Sequence, residues 1–123
     1  GGLATYLVCD RVAALVAAQN LTTRYSCLAD AGFFLDHDSM SGAPSQSPSF
    51  KESFYAWNST GGTNQACIAH WTPRGEPWRC IFAQYVLPFI QSPLFVAQNL
   101  YDSWQLNNIL EIDQNKTCPT YGH

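Results

Sequence analysis

Residues 93–102 read Pro93-Leu94-Phe95-Val96-Ala97-Gln98-Asn99-Leu100-Tyr101-Asp102. The first half is a compact apolar run of strand length, and Trp104, Leu106, Ile109 and Leu110 follow at helical spacing. A carboxylate, Asp102, therefore stands just past a strand and just before a helix. Two readings of it stay open. In open α/β sheets ligands bind outside the carboxyl ends of the strands, which favours chemistry. An aspartate at a strand-to-helix junction is equally an ordinary N-cap.

Working outward from that stretch, the chain keeps an α/β rhythm. From Leu3 to Ala18 the apolar residues Leu3, Leu7, Val8, Val12, Leu15 and Val16 recur at helical spacing among alanines, predicting a helix with one buried face. Gly1 and Gly2 stand at its start, where small residues matter if another backbone comes close. Tyr25 to Ala29 is short and apolar and leads through Asp30-Ala31-Gly32 into Phe33-Phe34-Leu35, so it reads as a buried strand leaving a sheet. Asp30 and Asp36 read as turn hydrogen-bonders. Residues 39–49 hold too little apolar surface to pack and read as a loop. Ser49 and Glu52 make a capping-box pattern for a helix through Phe54, Tyr55 and Trp57, with Gly61 and Gly62 ending it. A second helical stretch runs from Ile81 to about Leu87 and stops near Pro88. The expected fold class is α/β, a mostly parallel sheet flanked by helices.

A chain of 123 residues with 46% hydrophobic side chains can bury one core, so a single domain or part of one is expected. The formal charge of -3 comes without a Lys/Arg cluster, which excludes the electrostatic footprint of a nucleic-acid partner. No apolar run approaches the ~20 residues a membrane span requires. Five cysteines accompany three acceptor sequons, at Asn20, Asn58 and Asn115, and together they point to the secretory pathway and to glycosylation at those asparagines. Cys67 and Cys80 bracket a polar stretch rich in Gly, Pro and Trp, which reads as a loop closed by a disulfide. Cys9 with Cys27 is a second pairing, between a helix and its adjoining strand. With the cysteines scattered singly and no C-x-x-C or histidine pair, a zinc site is not expected, and no cofactor is called for.

Several blocks, taken together, resemble the pectin acetylesterase and Notum family. They are Gly1-Gly2-Leu3-Ala4 with Cys9-Asp10, Leu28 through Asp36, and Pro93-Leu94-Phe95-Val96 through Tyr101-Asp102-Ser103-Trp104-Gln105. Tyr55-Ala56-Trp57-Asn58 and the span from Cys67 to Trp78-Arg79-Cys80 are similar to the animal members. The resemblance implies an α/β-hydrolase with a Ser-Asp-His triad and a Gly-x-Ser-Ala-Gly-Gly nucleophile elbow. Gly1 and Gly2 match the last two glycines of that elbow, at the start of the helix whose dipole faces a developing oxyanion. Asp102 matches the triad aspartate.

The serine is then expected immediately before residue 1 and the histidine beyond residue 123, making residues 1–123 an internal part of one catalytic domain, truncated at both ends. His37, His70 and His123 match no catalytic position. Phe34 matches an aromatic lining the acyl pocket, and Ile81 and Phe82 match an aromatic pair, with Ile81 a departure that alters pocket shape. The implied activity is serine-dependent ester hydrolysis, with acetylated pectin as substrate because the block from Tyr101 to Gln105 has the plant wording. A lipid deacylase, or a glycan- or lipid-binding relative without a nucleophile, are the alternatives.

Overall fold

The computed structural model describes residues 1–19 and 22–112. Elements follow in the order α1 (Gly2–Ala18), β1 (Cys27–Asp30), α2 (Ser47–Ala56), α3 (Gln65–Trp71), α4 (Ala83–Val86), β2 (Leu94–Ala97) and α5 (Ser103–Asn108). Short 3₁₀ turns link α2 to α3 and carry the chain from α3 to β2. β1 and β2 pair in parallel, with Cys27 opposite Leu94 and Asp30 opposite Ala97. The α/β expectation therefore holds, and both strands point their carboxyl ends the same way.

α1 lies against β1, and the bond between Cys9 and Cys27 joins them with 6.2 Å between their alpha carbons. The buried face of α1 is narrower than its apolar pattern suggests. Tyr6 and Cys9 are buried, whereas Val12 and Leu15 are exposed. A 17-residue helix spans about 25 Å and a four-residue strand only about 13 Å, so among the described residues the distal turns of α1 extend past β1. Across the sheet, Cys27 and Ala29 are buried while Leu28, paired with Phe95, is exposed.

α2 begins at Ser47 rather than at Ser49. Pro48 occupies its first turn, where a missing N–H costs nothing, so the capping box between Ser49 and Glu52 is not used as a cap. The helix ends at Ala56, and Asn58 takes the left-handed conformation before Gly61 and Gly62 are reached. A larger departure follows. The stretch between Cys67 and Cys80 is no polar loop, because α3 and two 3₁₀ turns fill it and bury Ile68, Trp78 and both cysteines. Ile68 and Trp78 turn inward and share one core with Phe54, Phe82 and Val86, while Ala69 and Pro73 stay exposed. Cys67 and Cys80 are bonded, with 5.9 Å between their alpha carbons. The helix expected from Ile81 to Leu87 is a single α-turn, α4, between 3₁₀ turns, since Pro77 and Pro88 impose their own geometry on both sides.

Polar staples complete this half. The Asp10 carboxylate on α1 accepts the N–H groups of Gln91 and Ser92, at 3.0 and 2.8 Å, fixing the entry to β2. Arg79 grips Glu76 through Nε and Nη2, reaches Asp36 at 3.3 Å, also donates to the Tyr85 hydroxyl, and lies over the rings of Trp71, Trp78 and Tyr85. Asp36 is thus half of an ion pair to a distant residue rather than a local turn-former.

Candidate functional site

The carboxyl ends of β1 and β2 bring three segments together: the start of α1, residues 30–33, and residues 98–105. Asp102 is the N-cap of α5, and its Oδ1 accepts the N–H groups of Trp104 at 2.9 Å and Gln105 at 3.2 Å. Its other oxygen, Oδ2, accepts Nε2 of Gln98 at 2.9 Å, with Nε2 of Gln105 farther off at 3.5 Å. Burial pushes the Asp102 carboxyl upward, but the bonds from Gln105, Trp104 and Gln98 outweigh it and hold the group below its ordinary pKa. At neutral pH Asp102 is a carboxylate with one oxygen committed to the helix and one turned toward glutamine side chains. It lines a cavity of about 200 Å³ with Phe33, Leu35, Gln98, Leu106 and Ile109. Apolar walls with a few converging polar groups are what a small-molecule site requires.

The two glycines at the start of α1 have different roles. A Cβ on Gly2 would overlap the carbonyl oxygen of Asp30 and the backbone of Gly32, and a Cβ on Gly32 would run into Gly2 and Leu3. The helix and the chain leaving β1 therefore touch backbone to backbone, which only glycine permits. Gly1 meets nothing within 4 Å, and its carbonyl accepts the N–H of Thr5. Just after Asp30, Ala31 holds a φ of 52°, a left-handed conformation that costs a non-glycine residue energy and tends to occur at functional sites.

The three expected pocket residues do not line the Asp102 cavity. Ile81 and Phe82 are buried in the core. Phe34 is half-buried, with ring centroids 5.3 Å from Trp104 and 6.0 Å from Phe50, and Phe50 stacks on Phe82 at 4.5 Å. These rings form a continuous row from the core to the first turn of α5. His37 and His70 are both exposed, the first close to the Asp38 carbonyl and the second against the rings of Trp71 and Phe89, and neither contacts Asp102. Asn58 is exposed. Asn20, Asn115 and His123 lie outside the described residues.

Two members of the site escape a reading by residue type. Gln98 accepts the Phe33 N–H at 3.0 Å through Oε1, and Gln105 donates to the Phe33 carbonyl at 3.0 Å. For Gln105 a signal existed, because an acidic N-cap followed three residues later by glutamine is a helix-start pattern. Gln98 had none, being a neutral amide in a loop. Among the described residues, no group of three or more His, Cys, Asp or Glu side chains could hold a metal ion.

Known proteins share much of this sequence and fold. The family model for pectinacetylesterase matches residues 1–122. Pectin acetylesterase 11 of Arabidopsis thaliana is 33% identical over 98% of this chain, and the chain spans 30% of that protein's length. The human palmitoleoyl-protein carboxylesterase NOTUM is 31% identical over 86% of the chain, which covers 22% of it. Among solved structures, the Wnt deacylase Notum from Drosophila superposes with a TM-score of 0.74 at 29% identity, over 87% of this chain and 30% of that one. The described part is thus a portion of an α/β-hydrolase-type fold, and the chain belongs to the pectinacetylesterase family.

Proposed function

We propose that the protein containing this chain is a secreted serine carboxylic-ester hydrolase that removes acetyl groups from pectin. Asp102 is its triad aspartate. The serine and histidine come from sequence outside residues 1–123, with the serine in the turn that Gly1 and Gly2 complete. The observation that carries this reading is the ionised Asp102 carboxylate beyond the carboxyl end of a parallel strand, with only one oxygen used by the helix cap. An aspartate so placed accepts the histidine N–H, fixes the tautomer, and steadies the imidazolium formed as serine gives up its proton. Acyl transfer to serine and hydrolysis of the acyl-enzyme then follow without a cofactor, with backbone N–H groups at the start of α1 facing the developing oxyanion. The preference for acetylated pectin is supported by the 33% identity to a plant pectin acetylesterase. The two disulfides support an oxidising, extracellular setting, and no described helix is long and apolar enough to cross a membrane. Asn58, exposed in its turn, is the glycan acceptor of the described part.

A second reading, hydrolysis of a long-chain acyl ester, is favoured by the structural likeness to a Wnt deacylase. Acetate release from acetylated pectin and turnover of acetyl and palmitoyl esters, measured on the full-length protein, separate the readings. Acetate release from pectin is the expected result. Cleavage confined to long acyl chains replaces pectin with lipid, and no hydrolysis of either ester leaves a binding protein in which Asp102 is only a cap.

A further inference from the structure

We propose that Gln98 is the residue that positions Asp102 for that chemistry. The proposal rests on the reading of Asp102 as the triad aspartate. The N-cap bonds reach Oδ1 alone, so by themselves they leave the carboxylate free to pivot about that oxygen. Gln98 supplies the second pin, an Nε2 donor 2.9 Å from Oδ2. Its amide is itself fixed in direction. The Phe33 N–H lies 3.0 Å from it and needs an acceptor, which only Oε1 can be, and this leaves Nε2 directed at Asp102.

The Phe33 carbonyl is in turn held by Gln105, whose own N–H caps on Asp102. Two glutamines therefore join the Phe33 peptide and the Asp102 carboxylate into one ring that spans the segments following β1 and β2. Asp102 and Gln98 line the same cavity. An orienting aspartate must hold its partner's N–H direction narrowly, and such control comes from groups whose own direction is fixed. Each oxygen of a carboxylate accepts more than one hydrogen bond, so Gln98 steadies Oδ2 while leaving it able to accept histidine.

The competing account is that Gln98 only ties two loops together. Gln98→Glu, Gln98→Met and Asp102→Asn, singly and with each Gln98 change combined with Asp102→Asn, separate the two in the full-length protein. The readouts are kcat, KM and pH profile on an acetyl ester, with melting temperature alongside. Gln98→Glu keeps an acceptor for Phe33 and removes the donor to Asp102, so it carries the test even if Gln98→Met folds poorly. Both single variants are expected to lower kcat by about ten- to a hundredfold with KM unchanged, the loss of one hydrogen bond to a charged group.

Gln98→Glu also moves the acid limb of the profile to higher pH, because a second carboxylate raises the pKa of Asp102 and of the histidine beside it. In the Asp102→Asn background neither change costs anything further, since residues acting as a unit are not additive. Unchanged kcat with a lowered melting temperature, or losses that add to those of Asp102→Asn, overturns the role of Gln98. If Asp102→Asn itself retains full turnover, the triad reading fails first and the role of Gln98 falls with it. An inactive Asp102→Asn beside fully active Gln98 variants defeats the positioning role alone.

Discussion

From Gln65 to Phe89 the chain is gripped from several sides at once. A disulfide closes it, Arg79 binds two carboxylates beneath three aromatic rings, and Ile68, Trp78, Phe82 and Val86 are buried. From Gln98 to Asn108 the hold is lighter. A six-residue helix stands on one carboxylate, two glutamine side chains link the segment to Phe33 beyond the end of β1, and Leu100 and Tyr101 are almost fully exposed among the described residues. The first region has redundant restraints. The second has fewer restraints, and several of them converge on the two oxygens of one carboxylate. Redundancy protects a fold, whereas a site depends on particular atoms, so substitutions in the two regions should separate stability from turnover.

The largest expected effect lies in the lightly held region. Asp102→Asn in the full-length protein should lower turnover by about 10⁴-fold, as it does when a serine-protease triad receives an amide that favours the wrong histidine tautomer. Asparagine caps a helix about as well as aspartate, so the melting temperature should stay close to that of the parent. Kinetics on an acetyl ester beside a thermal melt checks this, and near-normal turnover would reduce Asp102 to a cap and erase the contrast between the regions.

The intermediate effect lies in the other region and has the opposite signature. Replacing Cys67 and Cys80 by serine frees a loop with a sequence separation of 13, a loss of about 3 kcal/mol from chain entropy alone. Denaturant unfolding should show the loss, while the KM of the fraction that remains folded stays unchanged. A change in KM as large as the change in stability would mean that the disulfide-bound region shapes the site directly.

The smallest effect concerns Asp10 and is read through pH. Burial raises its pKa, but the bonds from Gln91 and Ser92 outweigh burial and leave it below the ordinary aspartate value of about 3.9. A depressed folded pKa means the stabilisation is fully present above the unfolded value and disappears as pH falls through the folded one. Asp10→Asn should therefore lower the melting temperature by a few degrees at pH 7, roughly 1–2 kcal/mol for weakened bonds to two backbone N–H groups, and flatten the decline below pH 4. Equal acid sensitivity in parent and variant would move that decline to other carboxylates.

Where the sequence was legible, the determinants were local. The helix from Gly2, both strands and the helix after Asp102 follow from periodicity and punctuation that neighbouring residues supply. The position of Asp102 beyond a strand was legible for the same reason. What stayed hidden depends on contacts across the chain. α3 looked like loop because its few apolar residues matter only once Phe54 and Phe82 stand opposite them. Gln98 carries no chemical signature, and its meaning comes from Phe33, which is 65 residues away in sequence. Asp36 looked like a turn residue until Arg79 met it. The extent of α1 beyond β1 was likewise invisible, since helical spacing describes a face and not the length of the element beside it.

The backbone contact between Gly2 and Gly32 sets a tolerance. Hydrogen bonds stretch and side chains find other rotamers, but two main chains touching with nothing between them have no softer arrangement to adopt. The distance between the beginning of α1 and the residue that anchors Gln98 and Gln105 is thus fixed by two copies of the smallest residue in the alphabet. A single added methyl group at either position would push the helix away from the strand end. The alignment of any group carried by the turn before α1 with Asp102 would shift by the same amount, although neither glycine has a side chain to offer a substrate.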